Sequence, residues 1–384
     1  MNPVRIGMLG LGQRGLQHLK AVYQLQQEGV AKIVTLADAF AANVEPAKLQ
    51  KYVPGLPTDD INLTTDIEAL LNSDLDALYL SIPPNVHKGE VVRAAQKGIH
   101  LFVEKPMSLF LDEAIEMQKA IADAGIISTV GFQQRFDVRH DAVKRYLTGK
   151  QGVMVSYTRH GPLEGHSTKH TPTEAVGGPG NRVWTANRAW SGMTVVEGGI
   201  HPLDVWRYWF GDVEWVQATY SHRPPEEIFD GADNPYAYNV IFGFKNGVIG
   251  NMILSRLRRV YQSYGEEQIL WTEGRIELTD DAVIAYHYDG PYPPTANPAA
   301  AELRHKVDVP TGENSTLAIS RAFVTAVAQN DASPIRSPFD DAMNSLAAVL
   351  GANISDALGG QRVYLEELLT SDEFARFRQK PQGE

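Results

Sequence analysis

The feature that most constrains the fold is an alternation confined to the first third of the chain. Short apolar runs recur as VRIGMLG (4–10), KIVTLAD (32–38), DALYLSIPP (76–84), IHLFVEKP (99–106) and IISTVGF (126–132). Between them lie helical patterns: LQHLKAVYQLQQ (16–27), TDIEALL (65–71), VHKGEVVRAAQKG (86–98) and LDEAIEMQKAIADAG (111–125). Strands separated by helices pair through crossovers rather than hairpins, so this pattern predicts a parallel, doubly wound sheet. Thr65 followed by Glu68 reads as a capping box, and Gly98 as a helix-ending glycine.

After about residue 131 the texture changes. VMVSYTRHG, WVQATYSH, YNVIFGFKNGVIGNMILSRL, QILWTEGRIELT and VIAYHY follow one another as strand-like runs, with KNG (245–247) and TEGR (272–275) as hairpin turns. Helical patterns return at 313–329 and 340–358, and one of them could pack back on the first unit. The expected class is α/β: an N-terminal doubly wound parallel sheet over 1–131, then an α+β domain with an open, mostly antiparallel mixed sheet over 132–384. A chain of 384 residues suits two domains better than one.

A net charge of −11 disfavours non-specific contact with nucleic acid or anionic membranes. No apolar run approaches the length of a membrane span, and the opening MNPVRIGMLG does not read as a signal peptide. The chain has no cysteine, which removes disulfides, thiolate nucleophiles and thiolate metal sites. These features fit a cytoplasmic enzyme. Within the polar stretch 161–193, His166 and His170 have the i, i+4 spacing of a metal pair, but the surrounding Pro and Gly argue against a helix and no metal site is expected.

The first strand runs into Gly10-Leu11-Gly12-Gln13-Arg14-Gly15, a G-x-G-x-x-G with a strand before it, a helix after it and Asp38 ending the next strand. Gly10 suits the tight turn, Gly12 the approach of backbone to a pyrophosphate, and Gly15 close packing of helix on strand. The helix N-terminus at Gln13 and Arg14 would face the phosphates. Asp38 can accept bonds from ribose hydroxyls and would repel a 2′-phosphate, and Ala39-Phe40-Ala41 offers no arginine to receive one. The expected cofactor is NAD rather than NADP.

Ligands of an open parallel sheet bind beyond the carboxyl ends of its strands. Two such ends carry Pro83-Pro84-Asn85-x-His87 and Glu104-Lys105-Pro106. The prolines fix backbone direction, which would aim Lys105 into the crevice, where an ammonium can stabilise a developing alkoxide. A second constellation is EGGIHPLDVWRYWFGD (197–212). His201 opens a helix, with Asp204 three residues on and Glu197 four before. Histidine titrates near neutrality, which suits removal of a hydroxyl proton, and Asp204 lies near enough in sequence to orient the imidazole. Trp206 and Trp209 read as core. Arg182, Trp184 and Trp190 in the 161–193 segment offer aromatic faces and a basic donor suited to a polyol.

GLGQRG, SIPPNVH, EKPMSL, GFQQRF and GGIHPLD, in this order and over nearly the whole chain, resemble the glucose–fructose oxidoreductase / inositol dehydrogenase / MocA family. The resemblance implies a Rossmann domain and a C-terminal domain whose open sheet often mediates homodimers or homotetramers. It implies NAD(P)-dependent oxidation of a sugar or cyclitol hydroxyl, or reduction of the corresponding ketone. The family's catalytic lysine falls on Lys105, its acid/base histidine on His201 and its helix-start aspartate on Asp204. Where relatives often carry an aspartate four residues before the histidine, this chain has Glu197. Pro84 and His87 would lie near the cofactor, and Arg135 is a structural residue at the domain junction. Two alternatives remain: a glycoside-cleaving enzyme that oxidises its sugar transiently and returns hydride to a retained NAD, and a non-catalytic dinucleotide sensor. The second is disfavoured because both Lys105 and His201 are present.

Overall fold

The computed structural model describes residues 2–163, 185–228, 231–260, 262–279 and 282–380. Its first sheet has six strands: β1 (Val4–Leu9), β2 (Ala31–Ala37), β3 (Asn62–Thr64), β4 (Ala77–Leu80), β5 (His100–Val103) and β6 (Ser128–Val130). They are all parallel, in the order β3-β2-β1-β4-β5-β6. The order reverses beside β1 and β4, which opens the crevice that a doubly wound sheet uses for ligands. β4 and β6 are buried at every position, as strands covered on both faces must be.

Two local expectations need correction. Asp66, not Thr65, caps the helix Ile67–Leu71: its carboxylate accepts the Glu68 N–H at 2.8 Å. The next helix begins only at Glu90, because Pro84–Val86 forms a 3-10 turn and Gly89, at φ +81°, sets the start. The three-residue β3 has too short a pattern to be read from sequence.

The second sheet contains β7 (Gly152–Pro162), β8 (Val213–Ser221), β9 (Ala237–Phe244), β10 (Ile249–Leu257), β11 (Tyr264–Trp271), β12 (Gly274–Leu278), β13 (Val283–His287), β14 (Arg304–Val307) and β15 (Val363–Tyr364). The order is β14-β13-β12-β11-β7-β10-β9-β8-β15. β7 and β10 run parallel and the other pairs antiparallel. The sheet is thus mixed but mostly antiparallel, as the succession of hairpins predicts.

One face of this sheet receives the helix Ile200–Phe210. The contact is close because Gly250 has no side chain: a Cβ there would stand 2.8 Å from the Trp206 ring. The helix Phe339–Ala357 packs on β8, and one apolar core runs from Leu78 and Val103 of the parallel sheet through Leu203, Trp206 and Leu346 to Phe242. The opposite face of the parallel sheet is covered by the helices Gln13–Gln27 and Ser315–Gln329. Phe323 of the latter packs edge-on against Tyr79 and Phe102, at 5.5 and 5.7 Å. The carboxyl ends of β4 and β5 are thereby held against the start of Ile200–Phe210. Among the described residues no helix is long and apolar enough to cross a membrane.

Candidate active site

The glycine loop has the shape its spacing predicts. Gly10 takes φ +89°, and a Cβ there would lie 2.5 Å from the Ser81 carbonyl oxygen. A Cβ on Gly15 would lie 1.9 Å from the Gly10 carbonyl oxygen, so only glycine lets the helix sit this close to the strand end. Gly12 is the extended N-cap of the helix Gln13–Gln27 and supplies no side-chain cap. The first backbone N–H groups of that helix therefore suit an anionic ligand such as a pyrophosphate. Asp38 accepts the Leu11 N–H at 2.7 Å and the Phe40 N–H at 2.9 Å. It pins the glycine loop to the end of β2, and each carboxylate oxygen keeps a lone pair for a further donor. These groups fit a dinucleotide.

Arg14 and Glu104, expected beside the cofactor, instead have their charged groups engaged with each other. Arg14 Nε donates to Glu104 Oε1 at 2.8 Å, and its Nη1 to Gln17 and Thr316. Buried His18 lies 2.6 Å from the same Glu104 oxygen, while Glu104 Oε2 accepts the Lys105 N–H at 3.1 Å. Gly131 leaves the space: a Cβ there would meet Oε1 at 2.5 Å. A carboxylate so buried must be compensated. Burial alone would raise its pKa, but Arg14, His18 and Lys105 together hold it below the ordinary carboxylate range. His18, which the sequence reading did not single out, is pushed down to about 4 by burial and by Arg14. The clamp thereby also holds the backbone at Lys105.

From that anchor, behind the cis Lys105–Pro106 bond, the Lys105 ammonium crosses to the other half of the molecule. It donates to the Glu197 backbone oxygen at 2.9 Å and to Oε1 at 3.1 Å. Burial would raise the Glu197 carboxyl, but the Lys105 ammonium bonded to it outweighs this and leaves it lowered. Glu197 ends the short helix Thr194–Glu197, and Gly198-Gly199 turns the chain into Ile200–Phe210. A Cβ on Gly199 would lie 2.4 Å from the Val195 carbonyl oxygen, which explains the glycine. His201 is half-buried, and its Nδ1 is shut from solvent without a partner. Burial, reinforced by the Lys105 charge, pushes its pKa down to about 3. The imidazole is neutral near pH 7 and can accept a proton.

Asp204 does not orient His201. Its carboxylate takes a two-pronged bond from buried Arg135, at 2.7 Å on each oxygen, and a third from Ser345 at 2.9 Å. Arg135 also donates to the Arg336 backbone oxygen at 2.6 Å. The pair links the segment after β6 to Ile200–Phe210 and Phe339–Ala357. It is structural, as expected of Arg135 and contrary to the expectation for Asp204.

Pro83 and the 3-10 turn Pro84–Val86, which includes Asn85, follow β4. His87 is buried, with Nδ1 3.5 Å from Glu90 across the start of the next helix. Trp190 lies on Arg188–Ser191, which packs against the Pro84–Val86 turn, and is outside the cavity wall described next. Arg182, Trp184, His166 and His170 lie outside the described residues.

Glu197 and His201 line a cavity of about 480 Å³ between the helix Ile200–Phe210 and the second sheet. A larger groove of about 630 Å³, lined by Asp137–Arg139 and Lys306–Val309 among others, contains none of the site residues. The floor of the first cavity includes Tyr157, Arg159, Arg256 and Glu267. Sequence reading missed these four. The available signal was strand alternation: Tyr157 and Arg159 share the parity of buried Val155, so polar residues stand where the core-facing side of a strand should be apolar. Burial raises Glu267 to about 7, despite a 2.7 Å bond from Trp206 Nε1.

Family models match both halves. Residues 4–132 match the "oxidoreductase family, NAD-binding Rossmann fold" model, and 162–277 match the GFO/IDH/MocA C-terminal domain. The chain belongs to the Gfo/Idh/MocA oxidoreductase family. Its relatives include scyllo-inositol 2-dehydrogenase (NAD(+)) of Bacillus subtilis, 26% identical over 280 residues, 71% of this chain and 73% of that protein. Inositol 2-dehydrogenase of Rhizobium meliloti is 32% identical over 162 residues, 41% of this chain and 46% of that one. Among solved structures, levoglucosan dehydrogenase in complex with NADH and L-sorbose gives a TM-score of 0.75 at 18% identity, covering 95% of this chain and 99% of that one. An oxidoreductase from Agrobacterium radiobacter with NAD+, L-tartaric acid and magnesium gives 0.74 at 17% identity, with 95% and 99% covered. At such identities the structural likeness speaks for the fold.

Proposed function

We propose that this family member is an NAD-dependent dehydrogenase that exchanges a hydride with a secondary hydroxyl of a sugar or cyclitol. The observation that carries the reading is the contact of Lys105 Nζ with Glu197 at 2.9 and 3.1 Å. It joins the strand end beside the glycine loop to the loop that delivers His201, and it does so at a cavity of monosaccharide size. The inositol dehydrogenase relatives support the substrate class.

NAD, when bound, supplies the hydride acceptor. Gly10, Gly12, Gly15 and Asp38 hold it, with the helix N-terminus at Gln13 toward its phosphates; Pro83, Pro84 and Asn85 border the same crevice. The Asp38 charge favours a free ribose over a 2′-phosphate. Lys105 binds the carbinol oxygen and stabilises negative charge there. His201, neutral before reaction, takes the hydroxyl proton; in the reverse direction it returns one. Glu197 balances the Lys105 charge and the charge that His201 gains when it takes the proton.

The test is to incubate the protein with a measured amount of NAD and panels of sugars, cyclitols and glycosides. NADH should accumulate in step with ketone or lactone. Glycoside cleavage without net NADH would overturn the dehydrogenase reading in favour of oxidation, elimination and return of hydride to a retained cofactor.

A further inference from the structure

The cavity floor holds a feature that a neutral polyol does not require. β7, β10 and β11 present Tyr157, Arg159, Leu254, Arg256 and Glu267 to the helix-facing side, with Arg159 opposite Leu254 and Arg256 opposite Gly161. Gly161 lies two residues beyond Arg159 on the same face of β7. The Arg256 guanidinium rests over it, 3.1 Å from where a Cβ would be. The two arginine side chains are thus neighbours in one wall. Among the described residues neither guanidinium has a carboxylate within ion-pair distance. The nearby acids are otherwise engaged. Glu197 is bonded to Lys105, and Glu266 accepts from Tyr264 and Gln268. Glu267 is bonded by Trp206, and its raised pKa makes it a poor counter-charge.

Arg159 is exposed and Arg256 half-buried, so water screens their mutual repulsion only in part. A guanidinium matches the planar, two-pronged geometry of an anion's oxygens. Arg256 also lies close enough to Glu197 for its charge to lower that carboxyl, so the pair adjoins the reacting end of the cavity. We infer that Arg159 and Arg256 form a subsite for an anionic group carried by the sugar, so that the preferred substrate is an acidic monosaccharide rather than a neutral sugar or cyclitol. This rests on the dehydrogenase reading for its catalytic consequence, but the subsite itself can be tested by binding alone.

The experiment measures calorimetric binding to the NADH-loaded protein and NAD-dependent turnover. The probes are D-glucuronate, D-gluconate and D-glucose 6-phosphate, against D-glucose and myo-inositol as neutral counterparts. At least one anionic probe should bind ten-fold or more tighter than its neutral counterpart, and which one does so separates a carboxylate from a phosphate. Arg256→Gln and Arg159→Gln should each weaken that probe ten-fold or more, mainly in KM, while changing the neutral counterpart less than two-fold. Arg256→Lys should recover part of the loss. Equal or tighter binding of the neutral counterparts, or equal loss for both classes in the variants, would overturn the subsite. Binding of the anion without turnover of any probe would leave the subsite standing and count against the dehydrogenase reading.

Discussion

At the residue scale, the site depends on how three charged or chargeable groups share one small volume. Lys105 is held twice by Glu197, once through the carboxylate and once through the backbone oxygen. Replacing Glu197 by Gln keeps the backbone contact, so Lys105 stays in place, but removes the charge that balances it. We expect kcat to fall about ten- to a hundred-fold, the effect of losing one charge-assisted bond, with NAD affinity little changed. Steady-state kinetics with cofactor titration checks this; an unaltered kcat would show that the carboxylate only fills space. At this scale the sequence was readable where a residue's role follows from its immediate neighbours. Gly10 and Gly15 take the turn and close packing that their spacing predicts, and Asp38 ends β2 with its carboxylate on the Leu11 and Phe40 N–H groups. Asp204 does not, because its partner Arg135 lies 69 positions away and no local pattern announces the pair. The bond between Arg14 and Glu104 was not legible, because it depends on how β5 meets the first helix.

At the scale of elements, the parallel sheet was readable because burial on both faces writes near-continuous apolar runs between helices. The long hairpins of the second sheet announced themselves through KNG and TEGR. The short strands β3, β14 and β15 did not, since two to four residues carry no usable period. Harder still was the cavity floor. Tyr157, Arg159, Arg256 and Glu267 come from three strands that are not all adjacent in sequence, and they form one surface only once β7 has paired with both β10 and β11. Sequence reading sought the substrate wall in the 161–193 segment, whose composition is conspicuous, and passed over a wall hidden inside regular strands.

At the scale of the whole molecule, one core joins both sheets, so charges buried between elements bear on global stability. His18 and His140 are both buried and pushed down to about 4, chiefly by burial. The unfolded chain takes up protons on these groups below about pH 6.5 while the folded chain does not, so stability falls with pH over that window. From pH 7.5 to 5 the buried imidazoles, His201 included, lower the unfolding free energy, and Glu267, whose raised carboxyl takes up a proton in the folded chain, offsets part of this, leaving a net drop of a few kcal/mol. Urea midpoints across the range measure it, and His140→Gln should flatten the slope. A midpoint constant from pH 7.5 to 5 would contradict the burial of these imidazoles in the neutral form.

The central claim is that Lys105 and His201, brought from separate halves of the chain, act together on one carbinol. The most direct measurement is a single-turnover assay of reduced nicotinamide formation in the parent protein, Lys105→Ala and His201→Ala, with the NAD dissociation constant measured in each. The account predicts a loss of at least about a hundred-fold in the hydride-transfer rate for both variants, the scale of acid–base and electrostatic catalysis, with NAD binding changed little. A variant that keeps more than about a tenth of the parent rate would remove that residue from the chemistry.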